Sequence, residues 1–192
     1  ASYTHRFWAS DNIDAVSRVP IQRGFLAFLP PELMGAHVGA SPAHATGRSQ
    51  SLAFRAAVAM PGHFGVELDP AALDAADRAE LADWIAFYKT WRDLLHGGAV
   101  WLGEGADGLV WQAQGRADEF LLFVIRREPA LDRRPQPVKL PFLRDHACCD
   151  LQLLRTAGLG GGHALPSAPL FEAMRAGPQR FTGSWLAEAG LP

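Results

Sequence analysis

The sequence predicts a mixed chain, an α/β first half followed by an all-β second half, and two observations carry that reading. Up to about Gly98, short apolar stretches alternate with longer runs of helical spacing, the order expected of α/β units. Beyond Gly98, apolar strand-like runs follow one another across hairpin-length turns, the pattern of an antiparallel β-sandwich. The change falls at Gly97-Gly98 and divides the chain into residues 1–98 and 99–192.

The first half reads as follows. Asp11-Asn12-Ile13-Asp14 offers helix N-caps, and a helical run from Ala15-Val16 passes through Ile21, Phe25 and Leu26. Pro20 inside it removes an i→i−4 bond and should kink it, and Pro30-Pro31 stops it. Leu33 to Gly39 reads as a short buried strand, Ser41 to Arg48 as a polar turn, and Leu52 to Val58 as a second helix. Asp74 and Asp77 resemble a capping arrangement. Leu81, Trp84, Ile85, Tyr88, Trp91 and Leu95 then recur at helical spacing, and His96-Gly97-Gly98 ends that helix, glycine suiting a left-handed cap.

In the second half, Val100–Leu102, Leu109–Gln114 and Phe120–Ile125 are strand-like, separated by Gly/Asp turns, and Val138–Leu140 and Asp150–Leu154 read as two more strands. Arg126 to Pro137, with its prolines and charges, reads as a loop. No internal repeat stands out.

Composition excludes several classes. With 48% hydrophobic and 20% charged residues the chain has what a packed core needs. A net charge of −2, with Lys89 and Lys139 far apart, gives no basic patch, so nucleic acid is not an expected partner. No apolar stretch approaches the roughly 18 residues of a membrane helix, so no membrane association is expected. The N-terminus lacks a signal-peptide layout and opens without methionine inside a structured segment, which suggests a fragment. Cys148 and Cys149 are adjacent, poorly placed to bond to each other, and no disulfide framework or CxxC accompanies them. A cytoplasmic location is the expectation.

The chemically informative stretch is Phe7-Trp8-Ala9-Ser10-Asp11-Asn12-Ile13-Asp14-Ala15. Trp-x-Ser-Asp-Asn at a strand end before a helix places the Asp11 carboxylate where (β/α)₈ barrels carry catalysis, at the C-terminal rim. Trp8, three residues earlier, is of a type that lines sugar sites and lowers local polarity, which raises a carboxyl pKa as a general acid requires. Ser, Asp and Asn before a helix are equally the usual N-caps, and residue types alone leave both readings open.

The whole order of motifs is more specific. W-x-S-D-N-x-D-A at residues 8–15, followed by R-x-x-I-Q-x-G at residues 18–24, resembles the penultimate-strand region of the family 36 glycoside hydrolases, the α-galactosidases. The likeness continues through Pro30–Val38, Ser41–Arg48, Leu52–Ala57, Gly62–Leu68 and Tyr88-Lys89, densely over about residues 3–98. It is loose afterwards, at Phe181–Leu186. The resemblance implies the end of a (β/α)₈ barrel, its last two β/α units, followed by an antiparallel β-sandwich domain. It implies retaining hydrolysis of terminal α-linked galactose of the melibiose or raffinose type, with no cofactor and no metal. Asp11 maps onto the family's general acid/base and Trp8 onto the aromatic wall of its galactose pocket. The family's nucleophile lies in an earlier K-W-D-x-N motif; no such string occurs here, since Trp84 follows Asp83, and the upstream Cys/Gly-rich motif is also missing. The expected partners are therefore an α-galactoside and the remainder of the barrel or another subunit, within a homo-oligomer. Pro20 and Phe25 depart from the family pattern, on the helix and not at the site. The alternative is a non-catalytic carbohydrate-binding or subunit-interaction module, with Asp11 consumed as a cap.

Other residues invite less. His37 in an apolar strand reads as a packed core histidine, and His44, His63 and His96 share no metal spacing. His146 to Asp150 has no second cluster with which to make a metal corner, and Gly160-Gly161-Gly162 reads as a turn, not a phosphate loop. Trp84, Tyr88 and Trp91 read as helix packing, and Trp101 and Trp111 as sandwich core.

Overall fold

The computed structural model describes residues 5–105, 108–116, 118–127, 136–158 and 169–191. The chain divides into two compact units: residues 1–100, 113–121 and 157–162 in one, the remainder in the other.

The first unit alternates strand and helix: β1 (Phe7–Trp8), α1 (Ala15–Leu26), β2 (Met34–Gly39), α2 (Leu52–Ala59), β3 (His63–Glu67) and α3 (Ala75–His96). The strands lie in the order β1-β2-β3, all parallel, with Trp8 opposite Gly35 and His37 opposite Gly65. Parallel strands need long crossovers, and α1 and α2 supply them. Successive strand residues face opposite sides. Met34, Ala36 and Val38 are therefore fully buried on one side of β2, and Gly35 and His37 lie on the other. On the first side Phe64 of β3 stacks on Tyr88 of α3, ring centroids 5.4 Å apart. Leu81, Trp84, Tyr88 and Leu95 are buried along α3, as their helical spacing predicts. Gln114, fully buried in the same unit, donates to the carbonyls of Pro61 and Leu95.

The helix ends show what the sequence left open. Asp14, not Asp11, caps α1: its Oδ1 accepts from the backbone N–H of Val16 (2.9 Å) and Ser17 (3.2 Å). Ile13 beside it is buried as well. α1 runs through Pro20 to Leu26, with Pro20 on the exposed side where water can reach the carbonyl it leaves unbonded. Asp74 caps α3 through the Asp77 N–H at 2.8 Å, as expected. Gly97 ends α3 at φ −100°, outside the left-handed region. Glycine is needed there for a different reason: a Cβ would stand 2.7 Å from the Asp93 carbonyl oxygen.

In the second half β4 (Ala99–Glu104), β5 (Leu109–Gly115) and β6 (Phe120–Arg126) form a sheet in that order, where the sequence places three strands. Only residues 105–108 and 116–119 separate them, far short of the crossover a parallel pair requires. β7 (Cys149–Leu151) pairs antiparallel with β8 (Gln179–Phe181). Trp101, Trp111 and Phe142 pack together, with ring centroids 4.8 and 5.7 Å from Phe142, so these tryptophans serve packing as expected.

Three features differ from the sequence reading. Val138–Leu140 makes one bridge, to Leu191, and no strand, because Pro137 and Pro141 bracket it and carry no N–H for a ladder. Pairing at Asp150–Leu154 starts one residue early and stops at Leu151. Two helices, α4 (Pro169–Ala176) and α5 (Gly183–Glu188), stand where no helix was expected; Thr182 caps α5 by accepting from the Trp185 N–H. Gly160-Gly161-Gly162 and most of the Arg126–Pro137 loop lie outside the described residues.

Two tests follow from this packing. Asp14 is fully buried and holds five polar partners, so Asp14→Ala removes a cap and strands buried donors. Chemical denaturation should show a loss of about 2–4 kcal/mol, more than a surface cap alone. The second concerns His63 and His96, whose rings stack with centroids 4.4 Å apart. Burial, then the neighbouring His63 and Arg6, pushes His96 down to about 4, and burial lowers His63. Histidines held neutral in the fold bind protons more readily when unfolded, so their contribution is complete above pH 6.5 and is lost as pH falls through about 4. The thermal midpoint should drop over that window, and less so in His96→Gln.

Candidate functional site

The site candidates sit at the C-terminal ends of the parallel strands. β1 ends at Trp8, and residues 9–14 carry the chain over the strand ends into α1. Local hydrogen bonds shape this turn. Ser10 Oγ accepts from the Asn12 N–H (3.0 Å), and Asn12 Oδ1 accepts from the Asp14 N–H (2.9 Å). These side-chain-to-backbone bonds replace a ladder with a tight polar loop. Asp11 lies at its crest, exposed, and among the described residues its carboxylate takes no hydrogen bond. The capping role that competed for Asp11 in the sequence belongs to Asp14.

Beneath the loop lie two buried charges one helical turn apart. Asp14 Oδ2 accepts from Thr46 Oγ1 (2.6 Å) and Arg48 (3.2 Å), and its Oδ1 also accepts from Gln50 Nε2 (2.9 Å). Burial alone would raise the Asp14 pKa. The bonds from Thr46, Gln50 and the Ser17 amide, with the charge of Arg48, outweigh it and hold the carboxyl below its ordinary value. Gln50 Oε1 in turn accepts from the Ala15 N–H at 3.1 Å, so one amide ties the 41–50 stretch to the start of α1.

Arg18, one turn on, is 3% exposed and reaches four acceptors. Its Nε donates to the Asn12 carbonyl (2.5 Å), one terminal nitrogen to the His37 carbonyl (2.7 Å), and the other to the Ser10 carbonyl (3.4 Å) and Glu67 Oε2 (3.0 Å). The carbonyls on both sides of Asp11 are thus held by one planar cation. Arg55 of α2 donates to the carbonyls of Gln50 and Gly39.

Trp8, 54% exposed, lies face to face with His37, ring centroids 3.8 Å apart and planes 21° from parallel. Burial first, then the nearby Arg18 charge, lowers the His37 pKa, which favours a neutral ring. The structure therefore brings Trp8 against His37 and leaves Asp11 open on the adjoining loop. Arg18 heads the R-x-x-I-Q-x-G motif and Glu67 lies in the Gly62–Leu68 stretch, but the sequence assigns no role to either, nor to Gln50 or to the partnership of His37 with Trp8. The one available signal was Arg18 itself, a cation on the same helix face as the buried Val19 and Gln22 neighbourhood. In the other unit, Asp150 is engaged by Arg180 at 2.8 Å.

Comparison with known proteins identifies the family. Residues 1–98 match the melibiase family. The chain is 38% identical to an α-galactosidase of Escherichia coli over 98% of its own length and 27% of that protein's. It is 42% identical, over 52% of its length and 11% of the relative's, to the bifunctional α-galactosidase/sucrose kinase AgaSK of Mediterraneibacter gnavus. Among solved structures, the galactosidase domain of AgaSK superposes with a TM-score of 0.80 at 30% identity, covering 99% of this chain and 24% of that one. A substituted family 36 α-galactosidase AgaA from Geobacillus stearothermophilus, in complex with raffinose, gives a TM-score of 0.67 at 28% identity over 98% of this chain and 24% of its own. The chain spans little more than a quarter of the length of these relatives at most. With a family match over more than half its residues, and strands, loop and helices in the family's order, the chain belongs to the melibiase family, the α-galactosidases of glycoside hydrolase family 36.

Proposed function

We propose that this chain is part of a retaining α-galactosidase that removes terminal α-linked galactose from melibiose- or raffinose-type oligosaccharides. In this reading residues 1–98 close the (β/α)₈ barrel of the catalytic domain and residues 99–192 form the antiparallel β-sandwich domain that follows it in sequence. The observation that carries it is an exposed carboxylate, Asp11, on the loop after an exposed tryptophan at the C-terminal end of a parallel strand, with the cap supplied by Asp14. The raffinose complex of the AgaA relative supports the substrate class.

Asp11 is the general acid/base, and a nucleophilic carboxylate comes from a part of the barrel that this chain does not contain. In the first step Asp11 gives its proton to the glycosidic oxygen as the nucleophile attacks the anomeric carbon, so the leaving alcohol departs neutral and a glycosyl-enzyme ester forms. In the second, Asp11 takes a proton from water, whose oxygen displaces the ester carboxylate from the same face. Two inversions give retention. The two carboxyl groups then need to lie about 5–5.5 Å apart. Trp8 forms one apolar wall of the galactose pocket. The exposure of Asp11 in the chain alone fits a pocket whose opposite side comes from elsewhere.

Two experiments test this assignment. The chain by itself should not hydrolyse a nitrophenyl α-galactoside, since covalent catalysis needs the absent nucleophile; turnover by the pure chain would refute the division of labour. In the full-length enzyme, Asp11→Ala should slow raffinose hydrolysis by about 10²–10⁴-fold, because its leaving group requires protonation. An aryl galactoside should still form the glycosyl-enzyme and then stall, and added azide should restore turnover with retained configuration. Equal loss on both substrates without azide rescue would remove Asp11 from the acid/base role.

A further inference from the structure

We propose that His37 is a positioning residue for Trp8, and that the glycine opposite it, Gly65, is part of the same device. The inference rests on the reading of Trp8 as a wall of the galactose pocket.

Three layers on the Gly35/His37 side of the sheet carry it. The register sets His37 of β2 beside Gly65 of β3 and Trp8 of β1 beside Gly35 of β2. Gly65 has no side chain, and the His37 ring lies across the space this leaves: a Cβ on Gly65 would stand 2.3 Å from His37 Cδ2 and 2.9 Å from its Nε2. Along the same strand, two residues before it, a Cβ on Gly35 would lie 3.2 Å from His37 Cε1. The ring is thus seated between two glycines, and on it lies the indole of Trp8, nearly parallel at 3.8 Å. Trp8 is more than half exposed, and among the described residues its ring stacks on His37. An exposed indole in a sugar pocket is useful only at one inclination to the sugar ring. Stacking on a seated imidazole supplies that inclination before substrate arrives, which saves the ordering cost at binding. The backbone of His37 is itself fixed, because its carbonyl accepts from Arg18, the residue that grips the carbonyls flanking Asp11. His37 therefore joins the aromatic wall to the loop that bears the carboxylate. It touches neither substrate nor reacting atoms.

The test is a double-mutant cycle in the full-length α-galactosidase that carries this chain, read as galactose inhibition and as KM and kcat on a nitrophenyl α-galactoside. His37→Ala should weaken galactose binding and raise KM about three- to tenfold with kcat nearly unchanged, the scale of one lost aromatic stack. His37→Phe, which keeps a flat ring, should stay within about twofold of the parent. Gly65→Ala should reproduce the His37→Ala defect by displacing the ring. In a Trp8→Ala background, His37→Ala should add nothing, since contacting residues couple. Additive losses, or a neutral His37→Ala beside a damaging Trp8→Ala, would overturn the positioning role while leaving Trp8 in the pocket. Unchanged galactose binding in Trp8→Ala would overturn the pocket assignment and the inference together. Should His37→Ala fail to fold, Gly65→Ala set against His37→Phe carries the same decision.

Discussion

The arrangement at the strand ends depends on the buried guanidinium of Arg18. A cation taken out of water is costly unless its charge and its donors are met. Here Glu67 answers the charge and three backbone carbonyls take up the remaining donors. Those acceptors come from the β1–α1 loop, from β2 and from β3. One side chain on α1 therefore fixes the spacing of elements that the sheet's own hydrogen bonds leave free at their ends. The planar fork matters: a lysine at this position would offer a point charge without directional contact to four separate oxygens.

Asp14 complements it from one turn earlier. The pair divides the work by direction: Arg18 gathers oxygen atoms from the strands, and Asp14 gathers N–H and O–H groups from the helix start and the 41–50 stretch. Both are buried charges with their partners present, so loss of either leaves several polar groups unmet at once. This cost explains why an ionised residue occupies the fold's interior beside residues as apolar as Ile13 and Val19.

Much of the fold was legible in the sequence, and the reasons differ by element. α3 could be read because Leu81, Trp84, Tyr88 and Leu95 give it several turns of period, and β2 because its short run is apolar apart from His37 and follows Pro30-Pro31. α4 and α5 are too short for a period to register, and their signals are local caps such as Thr182. The roles proposed for Trp8 and Asp11 come from the order of motifs. The choice between Asp11 and Asp14 as cap could not be made from residue types, because it turns on where α1 begins and which carboxylate meets the Val16 and Ser17 N–H groups. Arg18 and His37 stayed hidden because their decisive partners are distant in sequence, 49 residues for Glu67 and 29 for Trp8. A side chain that looks like core and a cation that looks like surface exchange meanings only when the strands are side by side.

β1 is two residues long and, among the described residues, pairs with β2 on one flank only. An unmatched flank of a parallel sheet seeks another strand. Whatever completes the sheet there must run beside Trp8, so on the role proposed for Trp8 the seam that closes the architecture and the seam that would enclose the sugar are one line. Closure and pocket formation then cannot be separated in time. On that reading, a molecule caught half-joined would have no weak form of the proposed binding site, only one bank of it.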